Sequence, residues 1–501
     1  MRVLYYNWAD PHDPEGRGGG VSIYQRNLID GLAARGGFKT AFLSSGLVYD
    51  LRNRAPRIEQ ISTGPNPRYT LVNAGPVAPA HADFGGAAQL DHPATEAAFA
   101  DFIERSGPWD VIHFNNLEGL PAKVLALRSR WPDTRFVLSL HNYYPVCPQV
   151  NLWLQERRNC TDFDEGARCV TCLPATANPR SVRLAYGVGT ALTRIGAGPQ
   201  SLAYQKLFRP VLGFSWRLAR RLLRRRQRQI PPSPVPPDGS LFQHRRARMV
   251  ALINHNCDAV ICVSKRVQQI AAQHGIDPAK LQTLYIGTRE ADAWQRTTPR
   301  ATFTQPDGTL RLAYLGYMRR DKGFYFLMQA LFAIPPDLAA RVHLTVAARV
   351  GDAEAMRLLA ELTPRLASLR HIDGYTHDGL DDLLEDVDLG VVPVLWEDNL
   401  PQVSIEMHAR HIPLLTSDLG GAQELGNCPD LQFRAGDKAD FARALTRVLA
   451  GEVTQAQYWA KAVPPVTMAA HLDALTALYR ETLRTRDPAP RADKRRRRNS
   501  A

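Results

Sequence analysis

The sequence predicts an α/β protein made of two doubly wound, Rossmann-like domains in tandem. Three observations carry that expectation. Short apolar runs alternate with helical patterns through both halves of the chain, which is the pattern of parallel sheets covered by helices. A glycine triplet, Gly18-Gly19-Gly20, follows the first apolar run and opens a helical pattern. The chain has 501 residues, 45% hydrophobic and 22% charged, which suits two large globular domains and excludes disorder as the main state.

The first half opens with an apolar strand at 2–7 and a helix at 21–34. Further strands are expected at 40–44, 111–114 and 135–140, with helices at 96–105 and 122–130. A second series begins with a strand at 259–263 and continues at 310–315, 342–347, 389–394 and 413–416. The expected division is a first Rossmann-like domain at 1–174, a basic helical insert and proline-rich connector at 175–250, and a second Rossmann-like domain at 251–460. A helix at 461–484 and a disordered basic tail at 485–501 complete it.

The formal charge is +13, yet the excess is local. Residues 207–228 hold eight arginines and no acid, and 491–501 hold a net +5. The rest of the chain is balanced, which argues against a nucleic-acid-binding protein. At 100° per residue, most of the apolar side chains of 207–223 share one side of a helix and most of the arginines the other. Such a helix suits an anionic membrane surface, and equally a solvated face packed on its own domain. No apolar run reaches eighteen residues, and the first ten residues lack the pattern of a secretory signal. The expected location is therefore the cytoplasm, with peripheral attachment to the inner face of the membrane as an open alternative.

In doubly wound domains, ligands bind just beyond the carboxyl ends of strands. The glycine loop before the first helix, with Gly19 and Gly20, can bring amides close to an anion. The run Leu315-Gly316-Tyr317-Met318-Arg319-Arg320-Asp321-Lys322-Gly323 follows a strand and holds three cations suited to a diphosphate. Further on, Asp398 and Glu406 are separated by seven residues across a loop and a helix start. Carboxylates accept hydrogen bonds from hydroxyls in fixed directions, so this pair can grip a sugar and a ribose together. Amides at the helix start, around Leu400, Gln402 and Val403, can meet phosphate.

This arrangement resembles the retaining glycosyltransferases of the GT-B fold, most closely glycosyltransferase family 4. Their signature sets two glutamates at this spacing, and Asp398 stands in for the first. Gly316 with Lys322-Gly323 resembles the donor-phosphate motif, and Ser264 after a strand, Gly420-Gly421 with Glu424, and His141 after 137–140 also match. The resemblance implies that Lys322 binds the donor diphosphate, Asp398 holds the transferred sugar, Glu406 holds the ribose and His141 lines the cleft. It implies a last helix that crosses back to the first domain, retained configuration and donor binding without a metal. The expected reaction is sugar transfer from a nucleotide sugar to a polysaccharide or a lipid-linked glycan. An epimerase on a similar fold and a noncatalytic homologue are the alternatives. Two departures stand out. Tyr317 replaces the family's arginine, for which Arg319 is expected to compensate, and Ile286-Gly287 replaces an Asn-Gly.

Cys147, Cys160, Cys169 and Cys172 lie within 26 residues and can hold a structural zinc ion. Two labile disulfides or four unrelated thiols fit the spacing as well. Cys257, Cys262 and Cys428 read as isolated thiols. His113 and His408 read as structural, and Asn115 and Asn116 end a strand where an acceptor could reach.

Overall fold

The computed structural model describes residues 1–173, 176–202, 204–208, 210, 211, 213, 214, 218, 221 and 238–484. The tail at 485–501, the connector at 230–237 and most of the basic stretch 207–228 lie outside the described residues.

Two sheets form the core. The first has eight strands in the order Leu281–Thr283, Ala259–Cys262, Arg135–Leu140, Val111–Phe114, Arg2–Tyr6, Lys39–Val48, Arg68–Val72 and Arg57–Ser62. All neighbours run parallel except the last pair. The second has six parallel strands in the order Ser368–Ile372, Val342–Ala348, Leu310–Gly316, Leu389–Val392, Leu414–Ser417 and Gln432–Phe433. Central strands such as Val111–Phe114, Arg135–Leu140 and Leu389–Val392 are buried along their whole length, as strands covered on both faces must be. These two Rossmann-like domains are the expected fold.

The expected boundary at 251 is corrected. Ala259–Cys262 pairs with Arg135–Leu140, with Val137 opposite Ala259, so it extends the first sheet rather than opening the second. The preceding helix, Ser240–Asn256, is the crossover between those two strands. It is tied to the first domain by the buried Arg245, which donates to Gln89 Oε1 at 2.6 Å and to the Tyr144 carbonyl at 3.0 Å. An apolar strand of four residues carries no mark of which sheet it will join.

The last helix, Met468–Arg484, packs back on the first domain. His471 pairs with Tyr24 Oη at 2.8 Å and with the Tyr285 carbonyl at 2.8 Å. Tyr479 Oη meets His113 Nδ1 at 2.6 Å, and His113 Nε2 meets Ser139 at 2.7 Å, so His113 is a core residue with both nitrogens paired. Gly287 lets the chain pass this helix. A Cβ there would lie 2.5 Å from His471 Cβ and 2.9 Å from Met468 Cα.

Five histidines are desolvated by this packing. Burial pushes His113 and His141 down to about 3 and His274, His408 and His471 down to about 4. A folded pKa below the unfolded value of about 6.5 gives stability that is complete above that value and is lost as pH falls towards the folded pKa. Buried carboxyls with raised values, Glu118 and Glu406, contribute the opposite sign between their unfolded value of about 4.3 and their raised folded values, and offset part of this loss. Denaturant unfolding should therefore show lower stability at about pH 5 than at about pH 7.5. Equal midpoints at the two pH values would contradict the packing of these rings.

Candidate functional site

A cleft of about 970 Å³ separates the carboxyl ends of the two sheets. Gly19, Gly20, Tyr24 and His141 line it from the first domain. Gly316, Lys322, Asp398, Leu400, Gln402, Val403 and Glu406 line it from the second. Residues far apart in sequence thus share one crevice, because each lies just past a strand that ends at the same edge.

Lys322 and Asp398 form the centre of the site. Lys322 Nζ lies 2.5 Å from Asp398 Oδ2 and 5.2 Å from the centre of the Trp396 ring. The carboxylate is 9% exposed and the lysine 28%, so the pair is largely withdrawn from water while the cation still faces the cleft. Gly323 sets the lysine's position. Its φ is 76°, and a Cβ there would come within 1.6 Å of the Pro393 carbonyl, so only glycine lets the loop close on the neighbouring strand end. Gly323 itself does not line the cleft. The helix Phe324–Ala333 begins immediately after it.

Glu406 is buried on the helix Gln402–His408. It accepts a hydrogen bond from Tyr375 Oη at 2.9 Å, and His377 Nδ1 lies 3.7 Å away. Burial raises the Glu406 pKa, partly offset by His377 and by the tyrosine. The hydrogen bond to Glu290 raises the His377 pKa, with Glu406 adding to the effect. Tyr375 and His377 were not expected from the sequence. They follow the strand Ser368–Ile372, whose half-exposed, Arg- and His-containing sequence hides it from a search for apolar runs. Arg349, at the end of the neighbouring strand, also lines the cleft.

His141 ends the strand Arg135–Leu140 and pairs with Asn115 Oδ1 at 3.2 Å. Its ring centre lies 5.3 Å from that of Tyr24. Desolvation, with His471 nearby, keeps it neutral. Asn116 bonds instead to Glu118 at 3.0 Å. The two domains touch at the cleft's edge, where Gln402 Nε2 donates to the Gly20 carbonyl at 3.0 Å and Asn399 Nδ2 to the Leu140 carbonyl at 3.3 Å.

One expectation is corrected. Arg319 does not compensate for Tyr317 in the cleft. It binds Asp321 through two hydrogen bonds of 3.0 and 2.9 Å and is not among the lining residues, whereas Tyr317 is. Ser264 and Glu424, which match family segments, meet at the start of one helix. Ser264 caps the helix Lys265–Gln273 and donates to the Asn399 carbonyl at 2.8 Å, and Glu424 accepts from the amides of Lys265 and Arg266 at that helix's start. Cys147, Cys160, Cys169 and Cys172 lie near enough to act on one another's titration. Among the described residues no group of three or more His, Cys, Asp or Glu side chains is placed to hold a metal ion. Cys172 Sγ turns to Gln149 Oε1 at 3.1 Å and Cys160 Sγ to the Asp162 carbonyl at 3.5 Å. The Arg246 cation stands among Cys147, Cys160 and Cys169, and burial pushes Cys169 and Cys172 up to about 12. All seven cysteines are free thiols.

Two facing Rossmann-like domains, a cleft between their strand ends and a last helix that returns to the first domain define the GT-B fold. Residues 309–451 match the family model described as glycosyl transferases group 1. Solved structures similar to the whole chain agree in fold. Sucrose-phosphate synthase from Thermosynechococcus elongatus has a TM-score of 0.54 at 17% identity, with 96% of this chain and 98% of that one covered. An α,α-trehalose-phosphate synthase (UDP-forming) from Burkholderia vietnamiensis has 0.54 at 13% identity, with 98% of each covered. Anabaena HepE in complex with UDP and glucose has 0.51 at 14%, with 96% of this chain and 100% of that one covered. No curated protein matches the chain.

Gly323→Ala should lower stability by about 2–4 kcal/mol, since the added methyl meets backbone in a left-handed conformation. Thermal or denaturant unfolding checks this, and an unchanged midpoint would mean the loop is not held as described.

Proposed function

We propose that the protein is a retaining glycosyltransferase of the family 4 type, moving a hexose from a nucleotide sugar to a glycan acceptor. The observation that carries this reading is the Lys322–Asp398 pair, set in one cleft with Glu406 beyond the ends of parallel strands. The group 1 match over 309–451 supports it, because that segment contains all three residues.

Each residue has a physical task. The ribose hydroxyls of the donor bind Glu406, whose Oε2 is steadied by Tyr375. Lys322 meets the diphosphate, together with amides at the start of the helix Phe324–Ala333. Asp398 accepts hydrogen bonds from hydroxyls of the transferred sugar while restraining the lysine. As the sugar–phosphate bond breaks, negative charge grows on the diphosphate. A cation and oriented amides already in place stabilise that charge without reorganisation. His141, neutral and fixed by Asn115, can exchange a hydrogen bond with the reacting sugar from the acceptor side. No side chain is assigned as a covalent nucleophile, and the acceptor class is a polysaccharide or a lipid-linked glycan.

The test is a screen of nucleotide sugars for turnover, beginning with UDP and GDP sugars, followed by variants on the active donor. Lys322→Ala and Asp398→Asn should each lower kcat by about 10²–10³-fold with circular dichroism unchanged. Near-normal turnover by both variants would refute the site. Glu406→Gln should weaken binding of the nucleoside diphosphate product by about tenfold in calorimetry. Unchanged affinity would remove the ribose role.

A further inference from the structure

The insert after the cysteine loop exposes apolar surface that the cleft does not use. Its helix Pro179–Arg194 is anchored to the first domain: Tyr186 Oη donates to the Ala78 carbonyl at 3.0 Å and stacks on Tyr49, and Arg194 pairs with Asp50 at 2.6 Å. The helical repeat puts Leu184, Val188, Ala191 and Ile195 on a separate stripe. Beyond it, Leu202, Leu207, Val211 and Phe214 continue the exposure. Leu184, Ile195 and these four leave between 59% and 77% of their surface in water. Soluble domains scatter exposed apolar side chains singly, and six within 31 residues mark an interaction surface.

The charge around them indicates what that partner is. Residues 166–237 contain thirteen arginines and lysines and not one aspartate or glutamate. Apolar side chains in a segment of cations that holds no acid of its own match a surface that is apolar below and anionic above. A second copy of the same insert would instead bring thirteen cations against thirteen. The basic tail at 491–501 has the same sign and would be repelled as well.

We propose that the insert docks the protein on an anionic lipid bilayer through Leu184, Ile195, Leu202, Leu207, Val211 and Phe214, with Lys206 and Arg221 among the headgroups. The insert also touches the cleft's rim. Tyr204 Oη donates to Glu15 at 3.2 Å, and Glu15 lines the cleft on the first-domain side. Docking therefore sets that rim at the lipid surface. On the reading above, an acceptor carried in the membrane would meet the site there.

Sedimentation with vesicles tests docking independently of any transfer reaction, so its failure and the failure of the functional reading are distinguishable. The full-length protein should pellet with vesicles of equimolar phosphatidylcholine and phosphatidylglycerol, and at least about tenfold less with phosphatidylcholine alone. Leu184→Asp combined with Phe214→Asp should reduce partitioning by about a hundredfold, with an unchanged melting temperature because both side chains are exposed. Lys206→Glu with Arg221→Glu should reduce it on anionic vesicles only. No pelleting by the wild type, or equal pelleting by the Asp variant, would overturn the proposal. So would a concentration-dependent dimer, seen by light scattering, that Phe214→Asp dissolves, since a second copy would then cover the face.

Discussion

A lysine and an aspartate 2.5 Å apart at the foot of a cleft set the terms for the rest of this molecule. Neither charge is cheap to withdraw from water alone, and each makes the other tolerable. The arrangement leaves Asp398 with lone pairs to offer hydroxyls and leaves the Lys322 cation facing the cleft. It persists only if two loops from different strand ends are held at contact distance. Gly323 against the Pro393 carbonyl holds one of them, and the closure of Gly420-Gly421 over the Asp398 and Asn399 backbone holds the other.

The second requirement is that the opposite sheet present its own strand ends across the gap. The last helix meets it by crossing from one domain to the other and burying Leu472, Leu475 and Tyr479 in the first. Its polar groups are paired through His113, Tyr24 and Arg135, so the crossing is specific as well as apolar. His141 inherits its position from the strand beside His113, with Asn115 as its partner. The chemistry of the cleft and the packing of the helix behind it are therefore coupled through the two adjacent strands Val111–Phe114 and Arg135–Leu140.

Much of this was legible before any coordinates. Alternating apolar runs and helical patterns announce parallel sheets, and Asp398 with Glu406 could be placed because a strand, a loop and a helix start are written side by side. Other features depend on contacts that spacing does not encode. Arg319 looked available for phosphate, but Asp321 two residues later takes its Nε and Nη2 donors. The strand Ala259–Cys262 reads identically whichever sheet it joins. Tyr375 stayed hidden because its strand lies at a half-exposed edge, where the apolar pattern is diluted. The cysteine spacing gave no sign of Arg246, which comes from a helix some eighty residues on and stands among them.

The central claim is that residues 322, 398 and 406 hold one nucleotide sugar. A crystal structure with UDP, or with whichever nucleoside diphosphate binds, tests it most directly. The account predicts the ribose hydroxyls on the Glu406 carboxylate and the terminal phosphate within hydrogen-bond reach of Lys322 Nζ. A nucleotide seated elsewhere, with Lys322 still closed on Asp398 and Glu406 bare, would contradict it.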